Sequence, residues 1–247
     1  MRGEFLDGWP ATFPNPNLHL VKEWILECEQ VHQTCSEGNE AAETVTPSNS
    51  PYYRSFRVID VRKRLVISIS PENLRYIALS YVWGLSQEEY LSIQKDSVCT
   101  KAGANMNTPL PSRLPKTIDD AMTACLALGA DYLWADLFCI DQNDSEEKDV
   151  QLSCMGYTYR RALLTIVATY GNGSESGLPG INGHYETEIP SQIRVHIGGF
   201  DMITGLPTLS DQIVDSIWAE RGWTFQEGLL AKRCLIFGGA EPVFLCG

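Results

Sequence analysis

Trp223 and Glu227 lie four residues apart in a stretch with helical spacing, so both project from one face, with Arg221 just before them. A glutamate beside an indole is partly desolvated, and its pKa is expected to rise. The plainer reading is an ordinary helix start with Glu in its first turns. Asp136 raises a second question. It interrupts the apolar run at 131–140, where a buried carboxylate is costly unless paired or hydrogen-bonded. Two accounts stay open at this stage: an ion pair with Arg160 or Arg161 that fixes the sheet, or a carboxylate that contacts a ligand.

Other groupings carry less. Cys28, His32 and Cys35 fall at i, i+4 and i+7 of one helix face and could hold a metal. Structural zinc takes four ligands and no fourth is close in sequence, so no metal site is expected. The acidic run Asp141, Asp144, Glu146, Glu147 and Asp149 could take a divalent cation, and more simply complements the dipole of the helix it opens. Gly171, Gly173 and Gly177 follow a strand but miss the Gly-x-Gly-x-x-Gly spacing. Leu178-Pro179 stands where a helix would have to begin, which argues against a dinucleotide loop. His19, His32, His184 and His196 fall in loops or outer elements and Gly-x-Ser-x-Gly is absent, so a hydrolase triad is disfavoured.

The chain that must position these groups has 247 residues, 44% hydrophobic and 20% charged, which supplies a core and excludes wholesale disorder. Its 19 Lys+Arg against 31 Asp+Glu leave a net charge of −12, so duplex DNA and anionic membranes find no electrostatic footprint. A phosphate-bearing ligand would need a local basic cluster. No run of about 18 apolar residues occurs, and the N-terminus lacks the apolar stretch of a secretory signal. A cytoplasmic protein is expected. The eight cysteines are scattered, with Cys125, Cys139, Cys154 and Cys234 inside apolar segments, as reduced core residues would be.

Residues 1–16 read as an extended arm, 17–35 as a helix with Leu20, Trp24, Ile25 and Cys28 on one stripe, and 36–52 as a loop. Runs 56–61 and 64–70 form a hairpin around Arg62-Lys63. From 76 onward the pattern is α/β. Strands at 76–82, 131–140 and 163–169 alternate with helices at 117–128 and 145–161, and the strands are nearly continuous in apolar residues, as buried parallel strands are. Thr117 with Asp120, and Asp144 with Glu147, have capping-box spacing, and Gly129 ends the first helix. Residues 85–113 read as a polar excursion with one short helix, 171–190 as a Gly-rich loop, 192–197 as a half-buried strand and 213–230 as a helix. Apolar runs 233–237 and 242–246 close the chain, which stops directly after them, so the native protein is expected to continue. Ligands of open α/β sheets bind beyond the strand C-termini, and Ser80 to Trp83 and Asp141-Gln142 follow two such ends.

Three longer segments then agree in order: Tyr76-Ile-Ala-Leu-Ser-Tyr-Val-Trp-Gly84; Leu114-Pro-Lys-Thr-Ile-Asp-Asp-Ala121 running on to Tyr132-Leu-Trp-Ala-Asp-Leu-Phe-Cys-Ile-Asp-Gln142; and Arg221-Gly-Trp-Thr-Phe-Gln-Glu-Gly-Leu-Leu230. With Arg57-Val-Ile-Asp60 and Leu178-Pro-Gly180, the chain resembles the fungal heterokaryon-incompatibility domain over roughly 54–247, preceded by an arm, helix and loop at 1–53. That resemblance implies non-self recognition and regulated cell death. A second resemblance is to Toll/interleukin-1-receptor-like domains, which open on a strand ending in Ser-Tyr and place Trp-Cys-x-x-Glu at a helix start. Leu79-Ser80-Tyr81 and Trp223-Thr-Phe-Gln-Glu227 are similar to these, with Thr224 in place of Cys and a long insert before Trp223. The fold class it implies is α/β, a flavodoxin-like central parallel sheet flanked by helices, with an added N-terminal hairpin and C-terminal strands.

In enzymatic members of that second family the glutamate serves NAD+ cleavage, so the resemblance points to Glu227 as the catalytic group, with NAD+ as a substrate and no bound cofactor. Nicotinamide leaves as a neutral group, and the barrier lies in the ribose oxocarbenium ion, which a carboxylate stabilises. Ser80, Tyr81, Trp83, Asp136, Asp141, Gln142, Arg221 and Trp223 are expected to converge on the substrate. Trp83, Trp134 or Trp223 would stack on a ring, Arg221, Arg160 or Arg161 would meet the pyrophosphate, and Asp136 would contact a ribose hydroxyl. The resemblance also implies homo-oligomerisation on activation and a sensor or partner protein. The alternative is a non-enzymatic module that self-associates and recruits a death-pathway partner.

Overall fold

The structure, a computed structural model, describes residues 16–32, 35, 50–96, 107–183, 193–205, 208–239 and 241–247. The arm expected at 1–15 and the loop at 36–49 lie outside the described residues.

Strand-length apolar runs need partners on both edges and cover on both faces. Ile77–Ser80 (β3), Leu164–Ala168 (β6) and Arg233–Phe237 (β9) are buried at every position. With Tyr132–Trp134 (β5) they form the parallel centre of an eight-stranded sheet. Taken in chain order β3, β5, β6, β9, the parallel strands lie side by side as second, first, third, fourth. The order therefore reverses between β3 and β6, where Ile77 is opposite Leu164 and Ser80 opposite Val167. Alternation along β6 and β9 divides the core. Ile166, Leu235 and Phe237 join the main cluster, while Val167, Cys234 and Ile236 pack with Trp218.

Antiparallel strands extend both edges. Arg57–Asp60 (β1) and Leu65–Ser68 (β2) form the expected hairpin, and β1 docks on β5. Its turn is pinned by Asp60, which accepts from the Lys63 backbone N–H at 2.9 Å and from Lys63 Nζ at 3.0 Å. Thr108–Pro109 (β4) adds to β2, and Val243–Cys246 (β10) closes the other edge against β9.

Nine helices are present among the described residues: Leu18–Val31 (α1), Pro51–Ser55 (α2), Gln87–Asp96 (α3), Lys116–Leu128 (α4), Asp136–Cys139 (α5), Ser145–Ser153 (α6), Met155–Arg161 (α7), Leu209–Val214 (α8) and Gly222–Leu230 (α9). No described helix is long and apolar enough to cross a membrane. Arg57 makes a paired bond to Glu147, at 2.6 and 2.8 Å, that ties β1 to α6. The described cysteines are all free thiols; Cys125, Cys139 and Cys234 are buried and Cys154 is half-buried.

Several expectations are corrected. The strand expected at 131–140 stops at Trp134, and Asp136 opens α5 instead; an apolar run alone does not tell a buried strand from a short buried helix. The buried stripe of α1 is Val21, Ile25 and Cys28, whereas Leu20 and Trp24 are more than a third exposed. Thr117 and Asp120 are not a capping box. Both are buried and turned inward, where Thr117 Oγ1 accepts from the Gly177 N–H at 3.0 Å and Asp120 from the Leu178 N–H at 2.8 Å. Asp144 does cap α6 by accepting from the Glu147 N–H. The helix expected at 145–161 breaks at Cys154, and the one expected at 213–230 is two helices with a turn between them. The strand expected to be half-buried at 192–197, Arg194–Ile197 (β7), pairs instead with Phe200–Ile203 (β8) in a separate hairpin. Its Val195, Ile197, Phe200 and Met202 are exposed.

Candidate active site

Ser80 ends β3 beside the strand-order reversal, and its buried hydroxyl organises what surrounds it. It donates to Glu227 Oε2 at 2.5 Å and accepts from Trp218 Nε1 at 2.8 Å. One serine thus joins β3 to α9 and to the turn before α9. Glu227 is only 9% exposed. Burial pushes its carboxyl up to about 7 against the relief of the Ser80 bond; the Asp136 charge raises it further, and Arg221 lowers it. Tyr159, on the buried face of α7 with Met155 and Thr158, faces the same carboxylate. Burial and then the Glu227 charge hold the Tyr159 phenol well above its ordinary value, and the phenol donates to the Leu79 carbonyl at 3.3 Å.

A second carboxylate stands next to this one. The first turn of α5 leaves the Leu137 N–H without a helical acceptor, and Asp136 Oδ1 accepts from it at 2.8 Å. The Trp83 indole N–H is shared between both Asp136 oxygens at 3.0 Å. Burial raises the Asp136 pKa against these donors. Neither Arg160 nor Arg161 is its partner; Arg221 is the cation it senses, and Arg221 donates to the Tyr81 carbonyl at 2.9 Å. The Tyr81 phenol is buried beside Asp136 with no well-formed hydrogen bond, and burial followed by that charge raises it well above its ordinary value.

Trp83 is set by two glycines. Gly84 takes a left-handed φ of 55°, and a Cβ on it would meet Gly173 Cα at 2.5 Å. The Ser174 N–H donates to the Trp83 carbonyl at 2.9 Å, and the indole stacks on Tyr90 with centroids 5.9 Å apart. The Gly171–Gly177 stretch, which lacks the spacing of a dinucleotide loop, braces the Trp83 turn through Gly173 and Ser174.

The structure brings Ser80, Tyr81, Trp83, Asp136, Arg221 and Glu227 together. Gln142 reaches only the backbone carbonyls of Asp136 and Ile140, each at 3.3 Å. Asp141 accepts from the Asn143 N–H in its own turn. Trp223 lies in α9 one turn before Glu227, and its side chain lies outside the described residues. Trp134 is buried against Tyr159, 5.5 Å between centroids, and is core. Sequence reasoning missed Trp218 and Tyr159. The spacing of Met155, Thr158 and Tyr159 marks the buried face of α7, whereas Trp218 lies in the turn between α8 and α9, inside the stretch whose spacing predicts one helix. Away from this site, Cys28, His32 and Cys35 are joined by Cys246, with ligand atoms within 4.8 Å of one another.

A buried glutamate with a half-buried aspartate beside it, at the carboxyl end of a parallel run of strands where strand order reverses, places this protein among α/β domains built on a mixed, mostly parallel central sheet. The chain belongs to the heterokaryon incompatibility protein (HET) family, whose model matches residues 76–227, from the start of the β3 segment to Glu227 itself. It is similar to heterokaryon incompatibility protein 6, OR allele, of Neurospora crassa, with 26% identity over 208 residues, 70% of this chain and 28% of that protein. The chain thus spans less than a third of that relative's length. No solved structure matches it.

Proposed function

We propose that this chain is the effector domain of a heterokaryon-incompatibility protein and that it acts by cleaving NAD+ at the nicotinamide–ribose bond. The observation that carries the reading is Glu227, buried and bonded to Ser80 at the C-terminal end of β3. The parallel order second, first, third, fourth is the flavodoxin-like one, and it supports the likeness to Toll/interleukin-1-receptor-like domains. In this mechanism the ionised Glu227 faces the ribose carbon as positive charge develops there. Low surrounding polarity strengthens that attraction. Ser80 and Trp218 hold the carboxylate in place. Arg221 meets the pyrophosphate, Trp83 offers a stacking face, and Asp136 takes a ribose hydroxyl.

The test is release of nicotinamide from NAD+ by purified chain, alone and fused to an inducible dimeriser. Clustered wild type should release it, and Glu227→Gln should lose roughly 10²–10³ of the rate. Because the ionised carboxylate is the working form and its pKa stands at about 7, the rate should rise as pH passes through that value. Clustered wild type that releases no nicotinamide ends the proposal.

A second reading is a self-associating module that recruits a death-pathway partner without chemistry. It rests on the β7–β8 hairpin, where Ile197 is 58% and Phe200 75% exposed. Phe200→Asp should then abolish both self-association, seen by light scattering, and cell death, with NAD+ levels unchanged throughout.

A further inference from the structure

Cys28 and His32 sit one turn apart at the end of α1, and the Cys35 N–H donates to the His32 carbonyl at 3.1 Å. The fourth group arrives from the far end of the chain. Cys246, in the edge strand β10, brings its sulfur 3.3 Å from His32 Nδ1. The four ligand atoms lie within 4.8 Å of one another. Zn–S and Zn–N bonds of about 2.3 and 2.0 Å in a tetrahedron separate neighbouring ligand atoms by roughly 3.5–4 Å, so the cluster needs little movement to close on one ion.

We propose that Cys28, His32, Cys35 and Cys246 form a structural zinc site that fastens the N-terminal helix to the C-terminal strand. Three soft sulfurs and one imidazole are a donor set for zinc rather than for calcium or magnesium, and with four protein ligands the site has no open position for catalysis. Binding converts three thiols to thiolates and releases their three protons to solvent. Three thiolates and Zn2+ leave one net negative charge, and a cation stands ready for it. Arg233 is only 4% exposed, has no carboxylate partner among the described residues, and donates through Nε to Cys28 Sγ at 3.0 Å and through its terminal nitrogens to the Cys35 carbonyl at 3.3 Å and the Leu163 carbonyl at 3.2 Å. A buried arginine hydrogen-bonded to a sulfur is costly beside a neutral thiol and favourable beside a metal-bound thiolate. The surroundings are already packed for such a joint, since the Trp24 ring of α1 meets Phe244 of β10 at 5.8 Å between centroids. None of this depends on the reaction proposed for Glu227.

The full chain, purified under reducing conditions without added chelator, should carry one zinc ion by elemental analysis. Cobalt loaded in its place should show thiolate charge-transfer and tetrahedral ligand-field bands. Cys246→Ser should weaken zinc binding at least tenfold in competition with a chromophoric chelator, and Cys154→Ser, outside the cluster, should not. If Cys246→Ser fails to fold, titration of the wild-type chain with an organomercurial should release its zinc as the thiols react. The proposal is overturned if the folded chain takes up no zinc when zinc is added. It is equally overturned if Cys246→Ser binds as tightly as wild type, or if the isolated protein holds two of these cysteines as a disulfide.

Discussion

Glu227, buried, and Asp136, half-buried beside it, set a direction for stability as well as for chemistry. Glu227 has an ordinary value of 4.5 and stands at about 7 in the folded chain. An acid raised by folding holds its proton more tightly in the native state, so stability falls as pH rises from about 4.5 to about 7 and is then level. The span corresponds to about 3 kcal/mol. Asp136 is also raised by burial and gives a fall of the same sign, beginning from its own ordinary value of 3.8. Glu227→Gln should therefore flatten the fall in denaturant stability across that range. At pH 8 the variant should be more stable than wild type by up to about 3 kcal/mol. A glutamate that merely decorated the surface would give two parallel curves. Ser80→Ala acts oppositely. It takes away the acceptor of the Trp218 N–H and the donor that favours the ionised Glu227, so it should cost about 1–3 kcal/mol and shift the pH midpoint of the proposed cleavage upward.

At the level of elements, the Trp83 turn depends on two backbones in close approach. Gly84→Ala imposes left-handed strain and drives a Cβ into the Gly173 backbone, so it should cost about 2–4 kcal/mol in melting or denaturant experiments. Gly183 also has a positive φ, 71°, but no atom of the described residues within 4 Å of its Cβ position, so Gly183→Ala should cost only the strain, about 1–2 kcal/mol. Equal losses for the two variants would mean that the Gly84–Gly173 contact does not brace the turn. The parallel strands were legible in sequence because burial on both faces makes them apolar throughout. The short helix α5 was not, because Leu137, Phe138 and Cys139 are as apolar as a strand and only backbone geometry separates the two. Thr117 and Asp120 had the spacing of a cap, yet they bind Gly177 and Leu178, about 60 residues away in sequence, a choice no local pattern contains.

For the whole molecule the governing quantity is charge. A chain at −12 repels its own copies, and the Debye length shrinks from about 10 Å at 0.1 M salt to about 3 Å at 1 M. Any self-association through the apolar β7–β8 hairpin should therefore strengthen as salt rises, read by sedimentation over that range. Weakening with salt would instead mean that opposite charges carry the contact.

Residue order alone determined the alternation of buried strands with helices, the hairpin ahead of them, and the family, because hydrophobic periodicity and long ordered motifs are local properties of the chain. It singled out Ser80, Trp83, Asp136, Arg221 and Glu227 as residues of interest for the same reason. Only the tertiary structure decided what touches what. It placed the Trp218 indole on Ser80, gave Asp136 to Trp83 rather than to Arg160 or Arg161, and carried Cys246 across the molecule to Cys28, His32 and Cys35. Those contacts join residues far apart in sequence, and they exist because strand order places β3 between β5 and β6 and lays β10 along the edge beside β9. Spacing along a chain encodes neighbours within a turn or a strand; neighbours across a sheet are set by which strands pair.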